Sequence, residues 1–113
     1  MDYEYRKRTG RVPAGAAFSV GVSVDSMEPA HRAGGAMYVS RDCDLVPGDV
    51  GLFFVGEELV CRQYAEDSEG NIYLFVLNRR RRDLDITVPA ASGVNVACLG
   101  KVLLPQRPPL PGD

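Results

Sequence analysis

Along residues 16–24 apolar and small or polar side chains alternate, with Phe18, Val20, Val22 and Val24 on one side and Ala17, Ser19, Gly21 and Ser23 on the other. A period of two is that of a half-buried strand, since successive side chains of an extended chain point to opposite faces. The strand runs into Asp25-Ser26-Met27-Glu28-Pro29, where the proline stops it and a small hydroxyl lies just past its end, on the Val24 side. Downstream, residues 36–39 read as a short strand. Val46-Pro47-Gly48-Asp49 is a turn that feeds the continuous apolar run of residues 50–55, a core strand. Gly56-Glu57 reverses the chain and residues 58–64 return as the second arm of a hairpin. After the turn at residues 67–71 come a strand at 72–77, a short alternating one at 84–89, and a closing one at 94–104 in which Gly100 breaks the alternation and marks a bulge. No segment carries a 3.6-residue stripe of helix length. The pattern predicts an all-β domain: a small coiled β-barrel-like sheet of several short strands.

The two ends read differently. Residues 1–12 place Asp2-Tyr3-Glu4-Tyr5 before Arg6-Lys7-Arg8, a polar lead suited to a linker remnant or a short edge strand rather than to a core. The last nine residues hold four prolines, so the Pro-rich tail at 106–113 is expected to be extended or disordered. The domain proper is placed at 13–105, and 113 residues suffice for one core without metal or disulfide support.

Composition narrows the function. A net charge of -2 argues against this domain holding nucleic acid by itself. No apolar run reaches the roughly 18 residues of a membrane span, and the charged N-terminus lacks the apolar centre of a secretory signal, so no membrane partner and a cytoplasmic location are expected. Cys43, Cys61 and Cys98 are odd in number and far apart. They are read as reduced thiols, and with His31 the sole histidine no metal site and no cofactor are expected.

Candidate chemistry centres on Ser26. A serine before a proline-containing turn is commonly a hydrogen-bonding turn residue, and it becomes a nucleophile only beside a base. The order of motifs supplies a direction. Ala17-Phe18-Ser19-Val20 leading to Val24-Asp25-Ser26-Met27-Glu28-Pro29, then Val46-Pro47-Gly48-Asp49-Val50-Gly51-Leu52-Phe53 and Cys61-Arg62-Gln63-Tyr64, resembles the LexA-type S24 peptidase domain. That domain forms the C-terminal half of LexA and phage repressors and is related in fold to signal peptidases. The resemblance spans residues 12–105. It implies that Ser26 stands at the nucleophile that attacks a peptide bond in the protein's own linker, and that Met27 and Pro29 shape the cleft.

The family's base is a lysine on the second strand of the hairpin, able to serve because burial in an apolar cleft frees a neutral amine. The resemblance puts Arg62 at that position, and a guanidinium does not give up its proton. Self-cleavage is therefore expected to be weak or absent, the alternative being an active S24-type peptidase with Ser26 as nucleophile. A one-residue slip would bring Cys61 there instead. The only lysines, Lys7 and Lys101, lie in the lead and far along the chain. His31 is expected at the surface, and Arg79 to Arg82 as a solvated face at a turn. Asp25 and Glu28 flank the serine without forming a carboxylate pair. Ala14-Gly15, a small pair like the family's scissile bond, is read as a turn, because the eleven positions from Gly15 to Ser26 are needed for the strand that holds the serine.

The resemblance further implies a C-terminal dimerisation and regulatory domain of a transcriptional repressor of the SOS response type. It would be a homodimer, with the apolar stretch at 94–104 as a two-fold interface. DNA would be bound only through an N-terminal helix-turn-helix missing from this chain, and the inducer would be a protein such as a RecA-type filament.

Overall fold

The computed structural model describes residues 5–8, of which 6–8 by backbone alone, and residues 11–112. Eight strands form one antiparallel sheet: β1 (Tyr5–Arg8), β2 (Phe18–Val22), β3 (Ala36–Ser40), β4 (Val50–Val55), β5 (Glu58–Glu66), β6 (Ile72–Phe75), β7 (Ile86–Val88) and β8 (Val96–Val102), in the spatial order β1-β2-β3-β8-β4-β5-β6-β7. The fold is all-β as the alternation predicts, broken among the described residues only by two short 3-10 segments, Arg79–Leu84 and Ala90–Ser92. Among the described residues no helix is long and apolar enough to cross a membrane.

The sheet coils so that strands distant in the order share a core. Tyr5 of β1, Val20 and Val22 of β2, Met37 and Val39 of β3, Leu52 of β4 and Cys61 of β5 pack together. A second cluster, Phe53, Val60 and Leu74, lies on the other face. The two faces explain most of the apolar run: residues 50–53 are buried on one side or the other, and the strand comes out to solvent at Phe54. The β4–β5 hairpin turns at Gly56, whose φ of 59° is the left-handed conformation that a tight reversal requires.

β8 closes the sheet between β3 and β4, and its pairing slips by one residue: Leu52 faces Gly100 while Phe53 faces Cys98. Leu99 is the extra residue of a bulge, where the break in alternation at Gly100 places one. Gly100 is also the point of closest approach to β3, since a Cβ there would run into the Ser40 carbonyl oxygen and come within 2.6 Å of Val39 Cγ1.

Residues 5–8 form the short edge strand that is one of the two readings of the lead, at the end of the sheet order, and both ends are tied into the domain. Tyr5, in the polar lead, is only 4% exposed and belongs to the core. Its aromatic body has apolar neighbours on β2, where it pairs with Val22. The tail is not loose: Gln63, 1% exposed, donates from Nε2 to the Gly48 and Pro108 carbonyls at 3.1 and 2.7 Å. Arg107 Nε donates to Asp49 Oδ1 at 3.0 Å. A proline-rich segment has few backbone donors, so its carbonyls are held from the body of the domain by side chains.

Candidate functional site

Ser26 lies in the turn that follows β2, and the turn is fastened from two directions. Glu28 N donates to Asp25 O at 3.2 Å and His31 N to Met27 O at 3.0 Å, which close it locally. From β6 onward the chain returns to it: Asn78 N donates to Ser26 O at 2.9 Å and Asn78 Nδ2 to Asp25 O at 3.0 Å. Asn78 also caps the Arg79–Leu84 segment by accepting from Arg80 N. One asparagine thus links the start of the arginine run to the serine turn. The Glu28–Pro29 peptide is cis.

The Ser26 side chain is buried, 2% exposed, and its Oγ lies 3.3 Å from Tyr5 Oη in a hydroxyl–hydroxyl contact in which either can donate. It also lines a cavity of about 430 Å³ together with Asp25, Arg62, Arg81, Leu84 and Val24. The structure therefore brings Ser26 and Arg62 to the same cavity. Arg62 is 5% exposed, and its described hydrogen bonds run to carbonyls: Nη1 to Cys61 O at 2.8 Å and Nε to Leu84 O at 3.3 Å. Among the described residues no carboxylate stands within ion-pair distance of it.

The neighbouring position points elsewhere. Cys61 lies in the core with its Sγ 3.7 Å from Met37 Sδ, and burial pushes its thiol up to about 12, with the Arg62 charge drawing it the other way. A thiol held protonated is no nucleophile and no base.

Met27, Pro29, His31 and Lys101 do not line the serine cavity. Met27 is fully buried in the core, and exposed Pro29 lines a different cavity beside Pro108 and Leu110 of the tail; neither lines the Ser26 cavity. His31 is half-buried rather than a surface residue, with its Nε2 buried and unpartnered. Burial lowers its pKa while a backbone hydrogen bond at Ala36 acts in the opposite sense, and the ring does not line the serine cavity. Lys101 sits 3.6 Å from Asp49 Oδ2 at another cavity. The Lys7 side chain lies outside the described residues. Ala14-Gly15 is a turn, closed by Ala16 N donating to Pro13 O at 3.1 Å.

The arginine run is a solvated face, as a charge run at a turn suggests, with Arg79, Arg80 and Arg82 exposed, and two of its members are also paired. Arg79 grips Asp85 through two bonds of 2.9 Å, and Arg81 Nη1 lies 2.7 Å from Asp25 Oδ1 at the serine cavity. Asp85 also accepts from Val76 N at 2.8 Å, tying the run to the end of β6.

The reading of three reduced thiols is overturned: Cys43, in the exposed loop after β3, forms a disulfide with Cys98 of β8, their Cα atoms 5.9 Å apart. Cys61 alone is free. Spacing could not reveal this pair, because its partners are 55 positions apart and meet only through the placement of β8 beside β4. Among the described residues no cluster of His, Cys, Asp or Glu could hold a metal ion. Tyr5, Asn78, Arg81 and Leu84 were the site residues least visible in sequence. Only Asn78 carries a local sign, a capping side chain before a polar segment.

A coiled antiparallel sheet that sets a buried turn serine and a strand side chain on one cavity is a small β domain of the S24 type. The model of the Peptidase S24-like family matches residues 2–103, and the chain belongs to that family. No curated protein matches the chain.

Proposed function

We propose that this chain is the C-terminal dimerisation and regulatory domain of a LexA- or phage-repressor-like transcriptional regulator, with the peptidase nucleophile kept at Ser26 and its base replaced by Arg62. The observation that carries the reading is the position of Arg62, nearly buried on the cavity that Ser26 also lines. A guanidinium there is a fixed cation, and loss of a general base lowers a rate by about 10²–10⁴. Lys101 is engaged with Asp49 elsewhere, which leaves it no part in activating the serine.

In this role two copies pair so that two N-terminal DNA-binding heads meet a two-fold site, and an inducer protein such as a RecA-type filament acts on the pair in the cytoplasm. β8 pairs with β4 from Val96 to Lys101 and with β3 only at Lys101 and Val102, and the two-fold pairing is placed on this part of the chain. Phe54 and Val94, 40% and 49% exposed, offer apolar surface for it. Sedimentation is expected to show a dimer at micromolar concentration, and a strict monomer at every concentration counts against the role.

The second reading is a working self-cleaving peptidase. It is favoured by Tyr5, whose hydroxyl is the hydrogen-bonding group set against Ser26 Oγ. Incubation of the full-length protein at alkaline pH separates the two. Cleavage in Arg62→Lys alone supports the first; equal cleavage in the unaltered protein, abolished by Ser26→Ala, establishes the second.

A further inference from the structure

Arg62 keeps unpartnered donors on the cavity that it lines, and none of them is sealed from solvent. A charge taken out of water is costly unless it is paired and hydrogen-bonded. Every other buried ionised group described here is paired: Asp49, 5% exposed, holds both Arg107 and Lys101. Arg62 is equally buried, yet it has two carbonyl acceptors and no described carboxylate. A guanidinium carries five N–H donors in a planar fork, and two donate here, by Nε and by one N–H of Nη1. The rest have no acceptor among the described residues, and the side chain lines a cavity of about 430 Å³, the size range of small-molecule sites.

The walls define what would fill that space. Its charged lining residues are Arg62, Arg81 and Asp25, two cations against one anion, and the Arg81–Asp25 pair is satisfied internally at 2.7 Å. One positive charge is left over. Beside it Val24, Ala33 and Leu84 supply apolar surface, and Ser26 supplies a hydroxyl. We infer that the Ser26–Arg62 cavity binds a carboxylate with a short aliphatic body, the carboxylate lying on the free donors of Arg62 and the body against Val24, Ala33 and Leu84. Planar two-pronged recognition is what an arginine offers a carboxylate and a lysine does not. The replacement that removes a base would thereby create a receptor. The bound acid is either a free short-chain acid or the C-terminal carboxylate of a peptide ending in a small residue; both present the same group to Arg62.

The inference rests on reading Arg62 as a fixed cation, but it is tested by binding rather than by cleavage, so each fails separately. Butanoate, N-acetyl-Ala-Ala and the C-terminal amide of that dipeptide would be titrated against the protein by calorimetry, with amide resonances around Ser26 and Arg62 followed by NMR. At least one acid is expected to bind saturably at this cavity, and the dipeptide amide to bind roughly ten- to a hundred-fold more weakly than the dipeptide acid if the peptide is the ligand. Arg62→Gln should lose the binding, whereas Arg82→Ala, exposed on the 3-10 segment that brings Arg81 and Leu84 to the cavity, should keep it. Binding of butanoate alone assigns a free acid, and binding of the dipeptide acid alone a chain end. Equal binding of dipeptide acid and amide, undiminished binding in Arg62→Gln, or no binding of either acid overturns the inference. The comparison of acids and amide on the unaltered protein decides it even if Arg62→Gln does not fold.

Discussion

Tyr5 Oη and Ser26 Oγ lie 3.3 Å apart, 21 positions apart in sequence and both inside the protein. The contact joins the first described strand to the turn that carries the serine. It gives the hydroxyl of Ser26 a partner that owes nothing to Arg62. A buried hydroxyl without a partner is costly, so the two side chains support each other.

Tyr5→Phe keeps the ring in the core and removes the oxygen. It is expected to lower stability by about 1 kcal/mol, the usual net worth of one neutral hydrogen bond. Tyr5→Ala, which also empties the ring's place, should cost about 3–5 kcal/mol. Urea denaturation of both variants checks the pair of values; a neutral Tyr5→Phe would show that the contact contributes nothing.

Gly100→Ala should be damaging out of proportion to one methyl group. The added carbon meets the Ser40 carbonyl oxygen and Val39 Cγ1, so β3 and β8 would have to separate where they close the sheet. A loss of about 1–3 kcal/mol or more is expected. Gly56→Ala acts by backbone strain alone, since nothing lies near its missing Cβ. Comparing the two denaturation midpoints separates crowding from strain.

Reduction of Cys43–Cys98 releases a loop of 55 residues' separation. Opening such a loop restores entropy to the unfolded chain, and a loss of about 2–4 kcal/mol is expected. The denaturation midpoint with and without reductant measures it, with a Cys43→Ser/Cys98→Ser variant as the control that no longer responds.

Asp49 links acid stability to the tail. Burial pushes its carboxyl up, but the Val46 amide, the Arg107 side chain and the charges of Lys101 and Arg107 outweigh that, and the net displacement is downward from 3.8. A carboxyl lowered in the folded state favours folding above its ordinary value, and that contribution is lost as the pH falls from there through the folded-state value. Stability should therefore decline below about pH 4 with loosening of the segment around Arg107. Asp49→Asn should flatten this part of the acid limb; an identical acid profile in the variant would remove Asp49 from the account.

Much of the strand plan was legible because burial on one face or both leaves a local imprint. The β4–β5 hairpin stands where the apolar run, Gly56 and the returning strand put it, and the bulge falls beside Gly100. Ends of strands were read too long, as at residues 94–104 against Val96–Val102, because apolar side chains continue into loops that also pack on the core. The tail has no regular secondary structure among its described residues, in keeping with its prolines, but proline content reports on a segment's own stiffness and not on the Gln63 and Asp49 side chains that hold it.

By itself, then, the order of residues determined an all-β chain, a serine placed after an apolar strand, and an arginine on the hairpin, since each depends on neighbours within a few positions. Only the tertiary structure decided that Ser26 and Arg62 share one cavity, that Tyr5 reaches the serine, and that Cys43 meets Cys98. Those relations join positions 21 to 55 apart, and it is the coiling of the sheet, a property of all its strands together, that sets their distances.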